Sequence, residues 1–133
     1  MQIDDPAVIA EARALFDRYE AAIAANDAAT LDACFWADPR TVRFGITEIL
    51  YGIEAIRAFR ASVARYAPRA IRRVQVTSFG QDFACTHLEY QRQDSGLIGR
   101  ETKIVARLPE QGWRVVSAHV SLLAPGDPGR VQR

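Results

Sequence analysis

Apolar residues recur at two spacings along the chain, and the change from one to the other divides it into helices and sheet. From Pro6 to about Ala25, the residues Val8, Ala12, Leu15, Phe16, Tyr19 and Ile23 return every three or four positions. At about 100° per residue they form one stripe, the mark of an amphipathic helix. Asp4 and Asp5 stand ready to cap it, and Pro6 suits a first helical turn. Asn26-Asp27 breaks this helix and caps a shorter one, Ala28 to Cys34, with Leu31 inward; Trp36-Ala37-Asp38-Pro39 reads as a turn. Two short strands follow, Thr41–Phe44 and Glu48–Tyr51, with Gly45 at the bend. A third helix is predicted from Ile53 to about Tyr66, with Ile53, Ile56, Phe59, Val63 and Tyr66 on one stripe and Pro68 as its stop.

Beyond Pro68 the period becomes two. Ala70–Phe79, Phe83–Gln91, Ile98–Leu108 and Trp113–Leu123 alternate like strands, joined by Gly80-Gln81-Asp82, Asp94-Ser95-Gly96 and Glu110-Gln111-Gly112, all suited to hairpin turns. Three helices followed by a run of antiparallel strands make an α+β fold in which a curved, mostly antiparallel sheet wraps the helices. Such a sheet leaves a cavity at the open end of a cone. The last strand reads as apolar on both faces, with Val116, Ala118, Val120 and Leu122 alternating with Trp113, Val115 and Ser117. One face covers the helices, and the other is expected to meet a second copy, giving a homodimer. Residues 1–123 are read as one domain and 124–133, with Pro125-Gly126-Asp127-Pro128-Gly129, as a loose tail.

Composition narrows the function classes. The 133 residues carry 17 Lys+Arg against 16 Asp+Glu, so nothing in the charge balance favours nucleic acid or an anionic membrane as partner. Neither a signal-peptide pattern nor a membrane span is evident, and Cys34 and Cys85 read as buried free thiols, so a cytoplasmic location is expected. Two histidines 32 positions apart, with no carboxylate cluster, make no metal motif. No Gly-rich phosphate loop or nucleophile elbow is present, and no cofactor is expected.

Chemistry is suggested by polar residues where the pattern asks for apolar ones. Tyr19 lies on the first helix's stripe, either as a core tyrosine bonded to a carbonyl or as a phenol aimed into the cavity. Arg60 falls about 40° from Ile56, between Val63 and Ile53, and must either snorkel out or meet an anion. Arg43, flanked by Val42 and Phe44, either pairs with Glu48 or Asp38 or forks a ligand carboxylate. On the last strand, His119 and Ser121 share the parity of Trp113 and Val115. With Trp113 facing the helices, all three are expected to face the cavity, His119 as proton carrier and Trp113 and Ser121 as binding surface. His87 and Glu89 share one strand face, as a structural pair or a pocket base.

Val42-Arg43-Phe44-Gly45 followed by Glu48 and Gly52, then Ile56-x-x-Phe59-Arg60, Gly99-Arg100, Gly112-Trp113-Arg114-Val115-Val116 and Ala118-His119-Val120-Ser121 resemble the AtzH-like (HpxZ-related) proteins over nearly the whole chain. The resemblance implies a nuclear-transport-factor-2-like fold and a place in catabolism of nitrogen-rich compounds beside an amidase-signature enzyme. It implies hydrolysis of 1,3-dicarboxyurea to allophanate, with a tyrosine and an arginine that map onto Tyr19 and Arg43. Where the family is expected to carry an arginine soon after Phe59-Arg60, this chain has Ala61-Ser62-Val63-Ala64-Arg65. The expected function is therefore an amide hydrolase for a small carboxylated urea or ureide, with Tyr19, Arg43 and His119 catalytic and Arg60, Ser121 and Trp113 binding substrate. A non-catalytic ligand-binding or accessory protein for an amidase is the alternative, and a ketosteroid-isomerase-like isomerase or dehydratase the third.

Overall fold

The computed structural model describes residues 1–125. Helices α1 (Pro6–Ala25) and α2 (Ala28–Ala33) lead into strands β1 (Val42–Phe44) and β2 (Ile49–Tyr51), helix α3 (Ile53–Ser62), and strands β3 (Arg69–Phe79), β4 (Phe83–Arg92), β5 (Ile98–Leu108) and β6 (Gly112–Leu122). The six strands form one sheet in the order β2-β1-β6-β5-β4-β3, antiparallel throughout except where β1 runs parallel to β6. The expected α+β cone is present. Most of the tail expected from Ala124 lies outside the described residues.

Helix α1 begins as its sequence dictates: Asp5 accepts a hydrogen bond from Ala7 N at 3.0 Å, and Pro6 occupies the first turn. Its stripe is buried as Val8, Ala12, Leu15, Phe16, Tyr19, Ala22 and Ile23. Asn26 ends the helix in the left-handed conformation, at φ 52°, and its Oδ1 accepts from Tyr66 N at 2.7 Å. That second bond explains a departure from the expected third helix. Helix α3 stops at Ser62 with Val63 extended, because Tyr66 is tied to Asn26 and Pro68 forces the residue before it out of helical backbone. Tyr66 therefore reaches the cavity from a connecting segment.

A larger departure occurs on β6. Its register against β5 slips between Ile104 and Val105, which pair with Ser117 and Val115, so Val116 is an extra residue. At the same place the neighbour of β6 changes. Val115 exchanges backbone hydrogen bonds with Cys34 and Trp36, whereas Ser117, Ala118 and His119 lie beside β1. The bulge reverses side-chain parity beyond it. Val115, Ala118 and Val120 are buried against the helices, while His119 is exposed. The outer face of β6 thus carries Ser117, His119 and Ser121 rather than the apolar surface expected. Both cysteines are free thiols, as expected; Cys34 is buried but Cys85, on the outer face, only half so.

Gly99 on β5 lies under the ring of its cross-strand partner Tyr90, where any Cβ would overlap the ring carbons. Replacing Gly99 by Ala is therefore expected to destabilise the fold by about 1–3 kcal/mol, the usual effect of overpacking. Urea unfolding measures it, and the loss should shrink in a Tyr90→Ala background, where no ring is in the way.

Candidate active site

A cavity of about 270 Å³ opens between α1, α3 and the concave face of the sheet. It falls below the ~300–1,000 Å³ of drug-sized ligand pockets, so it has room only for a small molecule. Tyr19 from α1, Arg43 from β1, Arg60 from α3, Arg69 from β3, Tyr90 from β4 and Glu101 from β5 all contribute to its wall.

Arg60 is the least exposed of these charged residues, at 1%. Its Nη2 donates to Tyr19 Oη at 2.6 Å and its Nη1 to Tyr66 Oη at 3.0 Å. The guanidinium carbon lies 5.6 Å from the ring centroids of Tyr19, Phe35 and Tyr66, so aromatic faces enclose it. Both phenol oxygens accept from Arg60, which leaves each hydroxyl proton free to donate elsewhere. Arg60 Nε has no hydrogen-bond partner.

Every other buried or half-buried cation here has a carboxylate. Arg43 Nη1 donates to Glu48 Oε1 at 2.7 Å, and its guanidinium lies 4.9 Å from the Phe59 ring. Arg69 pairs with Glu20, lies 3.8 Å from Glu101, and sits over Tyr90. Lys103 Nζ is 2.7 Å from Glu101 Oε1, an ion pair without aligned hydrogen-bond geometry, and lies 3.1 Å from the centroid of the Tyr19 ring. Burial pushes the Glu101 carboxyl up, but Lys103, Arg69 and Arg43 outweigh it and hold it below its ordinary value. Arg43, Arg69 and Lys103 are thus each matched by a carboxylate, from Glu48, Glu20 and Glu101. Arg60 has no carboxylate within ion-pair distance among the described residues; the Asp32 carboxyl, pushed up by burial, is partly held down by Arg60 and Arg57 from farther off.

The family model for AtzH-like proteins matches residues 1–126. The chain belongs to the AtzH-like family. Two solved structures support this closely. One is a protein of unknown function from Pectobacterium atrosepticum, with 44% identity, a TM-score of 0.87 and coverage of 92% of this chain and 95% of the other. The other is a cystatin-like fold protein from Burkholderia xenovorans, with 42% identity, a TM-score of 0.89 and coverage of 93% and 98%. A nuclear-transport-factor-2-like protein from Salmonella enterica, at 22% identity and a TM-score of 0.74 over 96% of this chain and 99% of the other, shares the fold. No curated protein matches. Among the described residues no cluster of His, Cys, Asp and Glu forms a metal-binding group, and no helix is long and apolar enough to cross a membrane.

In this AtzH-like chain the residues expected from sequence divide into two sets. Tyr19, Arg43 and Arg60 line the same cavity, and Arg65 lines it too. His119, Ser121 and Trp113 do not. The bulge at Val116 turns His119 outward, where its ring meets Phe44 edge-on at 5.6 Å. Ser121 accepts from Arg100 Nε at 3.2 Å on that outer face. Trp113 does face the helices, but it packs on the core with Nε1 donating to Glu11 at 2.7 Å, away from the cavity. His87 and Glu89 also lie on the outer face, Glu89 being 3.2 Å from Arg72, so neither is a base for this cavity. Sequence reasoning missed Glu101, Lys103, Arg69 and Tyr66. The available signal was a Glu and the chain's only lysine two positions apart on one face of a central strand, a spacing that puts both on the same side of the sheet.

Because the folded Glu101 carboxyl lies below its ordinary value of 4.5, its contribution to stability is complete above that value and lost as pH falls through the folded value. Melting temperature should therefore decline below about pH 4.5. In Glu101→Gln that acid decline should be shallower, from a neutral-pH stability lower by about 3 kcal/mol or more, since Lys103 is left buried and unpaired. Calorimetry from pH 3 to 7 on both proteins checks the difference.

Proposed function

We propose that this AtzH-like protein is an amide hydrolase for a small carboxylated urea of the 1,3-dicarboxyurea kind, and that the cavity between α1, α3 and the sheet is its active site. The observation that carries this reading is the Arg60 guanidinium, 1% exposed and without a carboxylate partner. A buried ion without a counter-ion is strongly unfavourable, and a ligand carboxylate would supply one. The guanidinium fork gives a planar carboxylate two parallel charge-assisted hydrogen bonds. Arg43 Nε is a second buried donor without a partner on the same cavity.

With the carboxylate held there, the Tyr19 hydroxyl can donate its proton to a urea nitrogen, because its oxygen already accepts from Arg60. For 1,3-dicarboxyurea the bond that breaks joins that nitrogen to a terminal carboxyl carbon. The bonding pair stays on the nitrogen, which takes the proton, and the carboxylate departs as carbon dioxide. Hydration to bicarbonate completes a net hydrolysis to allophanate, and water returns the proton to Tyr19. This route needs no histidine, in keeping with the outward position of His119.

A second reading keeps the ligand and drops the turnover: a binding or accessory protein for an amidase. It is favoured by the engagement of both carboxylates on the cavity wall, Glu48 and Glu101, in ion pairs, so that no free base is at hand. Carbon-13 NMR of labelled 1,3-dicarboxyurea separates the two, since only the enzyme releases labelled bicarbonate faster than buffer does. An isomerase mechanism fits a small cavity lined by arginines poorly. A second copy on the outer sheet face, where Ile104 is 41% exposed, also belongs to this proposal, because interfaces need be no more apolar than ordinary surface. Light scattering at micromolar concentration decides it.

Arg60→Lys is expected to lose one to two decades of affinity for a carboxylate ligand, about 1.5–3 kcal/mol, because an ammonium cannot make the paired bonds. Arg60→Met should abolish binding while leaving the melting temperature of the ligand-free protein equal or higher, since an uncompensated buried charge is removed. Calorimetric titration together with thermal melts tests both outcomes.

A further inference from the structure

Resting on the carboxylate-ligand reading above, we propose that Glu48 is the specificity determinant of the cavity: its carboxylate holds Arg43 in the empty site, and a ligand must displace it to be bound.

The two partners are held very differently. Arg43 is fixed. It lies on β1 between β2 and β6, is 8% exposed, and stacks 4.9 Å from the Phe59 ring. Glu48 belongs to the turn joining β1 to β2, where Ile46 and Thr47 are exposed. Apart from Arg43, its carboxylate is bound by that same turn, Oε2 accepting from Thr47 N at 3.2 Å and from Thr47 Oγ1 at 2.6 Å. A fixed cation thus meets an anion whose other side-chain partners all lie within its own exposed turn.

Gly45 makes the contact possible. The Glu48 side chain folds back across Gly45 to reach Arg43, and a Cβ there would overlap the carboxylate. Ile46, Thr47 and Glu48 all line the cavity, so the contact is part of the site. Arg43 Nη1 is engaged while its buried Nε has no partner, which leaves the guanidinium half used. A ligand carboxylate approaching Arg43 meets Glu48 first, as a like charge and as a competitor. A neutral amide cannot replace an ion pair, so Glu48 selects ligands able to offer Arg43 a carboxylate of their own.

The sign of one substitution decides the matter. An occupant that holds Arg43 in about nine-tenths of the molecules weakens apparent affinity roughly tenfold. Glu48→Gln is therefore expected to bind hydantoate, oxamate or malonate about tenfold more tightly than the unaltered protein in calorimetric titration. That gain should vanish in the Glu48→Gln, Arg43→Met double variant. Biuret, a neutral urea, should bind the unaltered protein more weakly than hydantoate by at least as large a factor. Unchanged or weaker carboxylate binding by Glu48→Gln would overturn the proposal, because Glu48 would then be orienting Arg43 rather than competing for it. If none of these carboxylates binds either protein while both melt cooperatively, the carboxylate reading falls and this inference with it.

Discussion

The arrangement of the cavity turns on one buried charge. Arg60 has left water and has met three aromatic rings and two phenol oxygens instead of a carboxylate. Rings and neutral hydroxyls lessen the desolvation penalty but do not cancel it. Several features follow from keeping that guanidinium in place. Helix α3 ends at Ser62 rather than running on, which lets Tyr66 swing across to Arg60. Asn26, at the end of α1, fixes that crossing segment through Tyr66 N. Tyr19 occupies a core position on α1 yet spends its oxygen on Arg60 and its ring face on Lys103. Each element around the cavity gives up something a plain apolar core would keep.

Around Arg60 the remaining buried charges are closed into pairs. Glu101 is the hub: held ionised although buried, it neutralises Lys103 and part of Arg69, whose other partner is Glu20. Without it, Lys103 would be left buried and unpaired, and Arg69 would keep Glu20 alone. Lysine rather than arginine at 103 fits this role. A compact ammonium can stand against one ring face and one carboxylate, whereas a planar fork would need space that Tyr19 occupies.

What was legible in the sequence follows the regularity of each element. Helical periodicity placed Tyr19 and Arg60 on buried stripes, and because α1 and the body of α3 are regular, both residues arrived in the cavity. Arg43 was legible from its apolar flanks: it pairs with Glu48, as one of its readings has it, and it also lines the cavity. His119 and Ser121 were misplaced by strict alternation carried through Val116, where the neighbour of β6 changes from the segment at Phe35 to β1 and one residue is looped out. Trp113, before the bulge, faces inward as alternation requires but lies over Glu11 at a distance from the open end. A bulge made by a change of strand partner leaves no mark in a run such as Trp113-Arg114-Val115-Val116-Ser117. Glu101 and Lys103 were hidden for another reason: on β5 the buried face itself carries charges, while exposed Ile104 lies on the opposite face with Arg100.

That inversion on β5 connects fold to function. A strand in the middle of a sheet normally turns its apolar face to the helices, and the buried face here holds Glu101 and Lys103 between Gly99 and Val105. Gly99 admits the Tyr90 ring, which in turn supports Arg69 from below at 4.5 Å. Nearer β5's other end, Val105 joins Leu31, Cys34, Phe35 and Val115 in the apolar core. One strand thus passes from charged floor to hydrocarbon within a few residues. The apolar end, sealed by the segment at Phe35 against the bulge, holds the cone together. The charged end is held by its ion pairs, with Arg60 outside them. On the carboxylate-ligand reading proposed above, an anion would gain its affinity by neutralising Arg60, so affinity for the ligand and lower stability without it would have a common source.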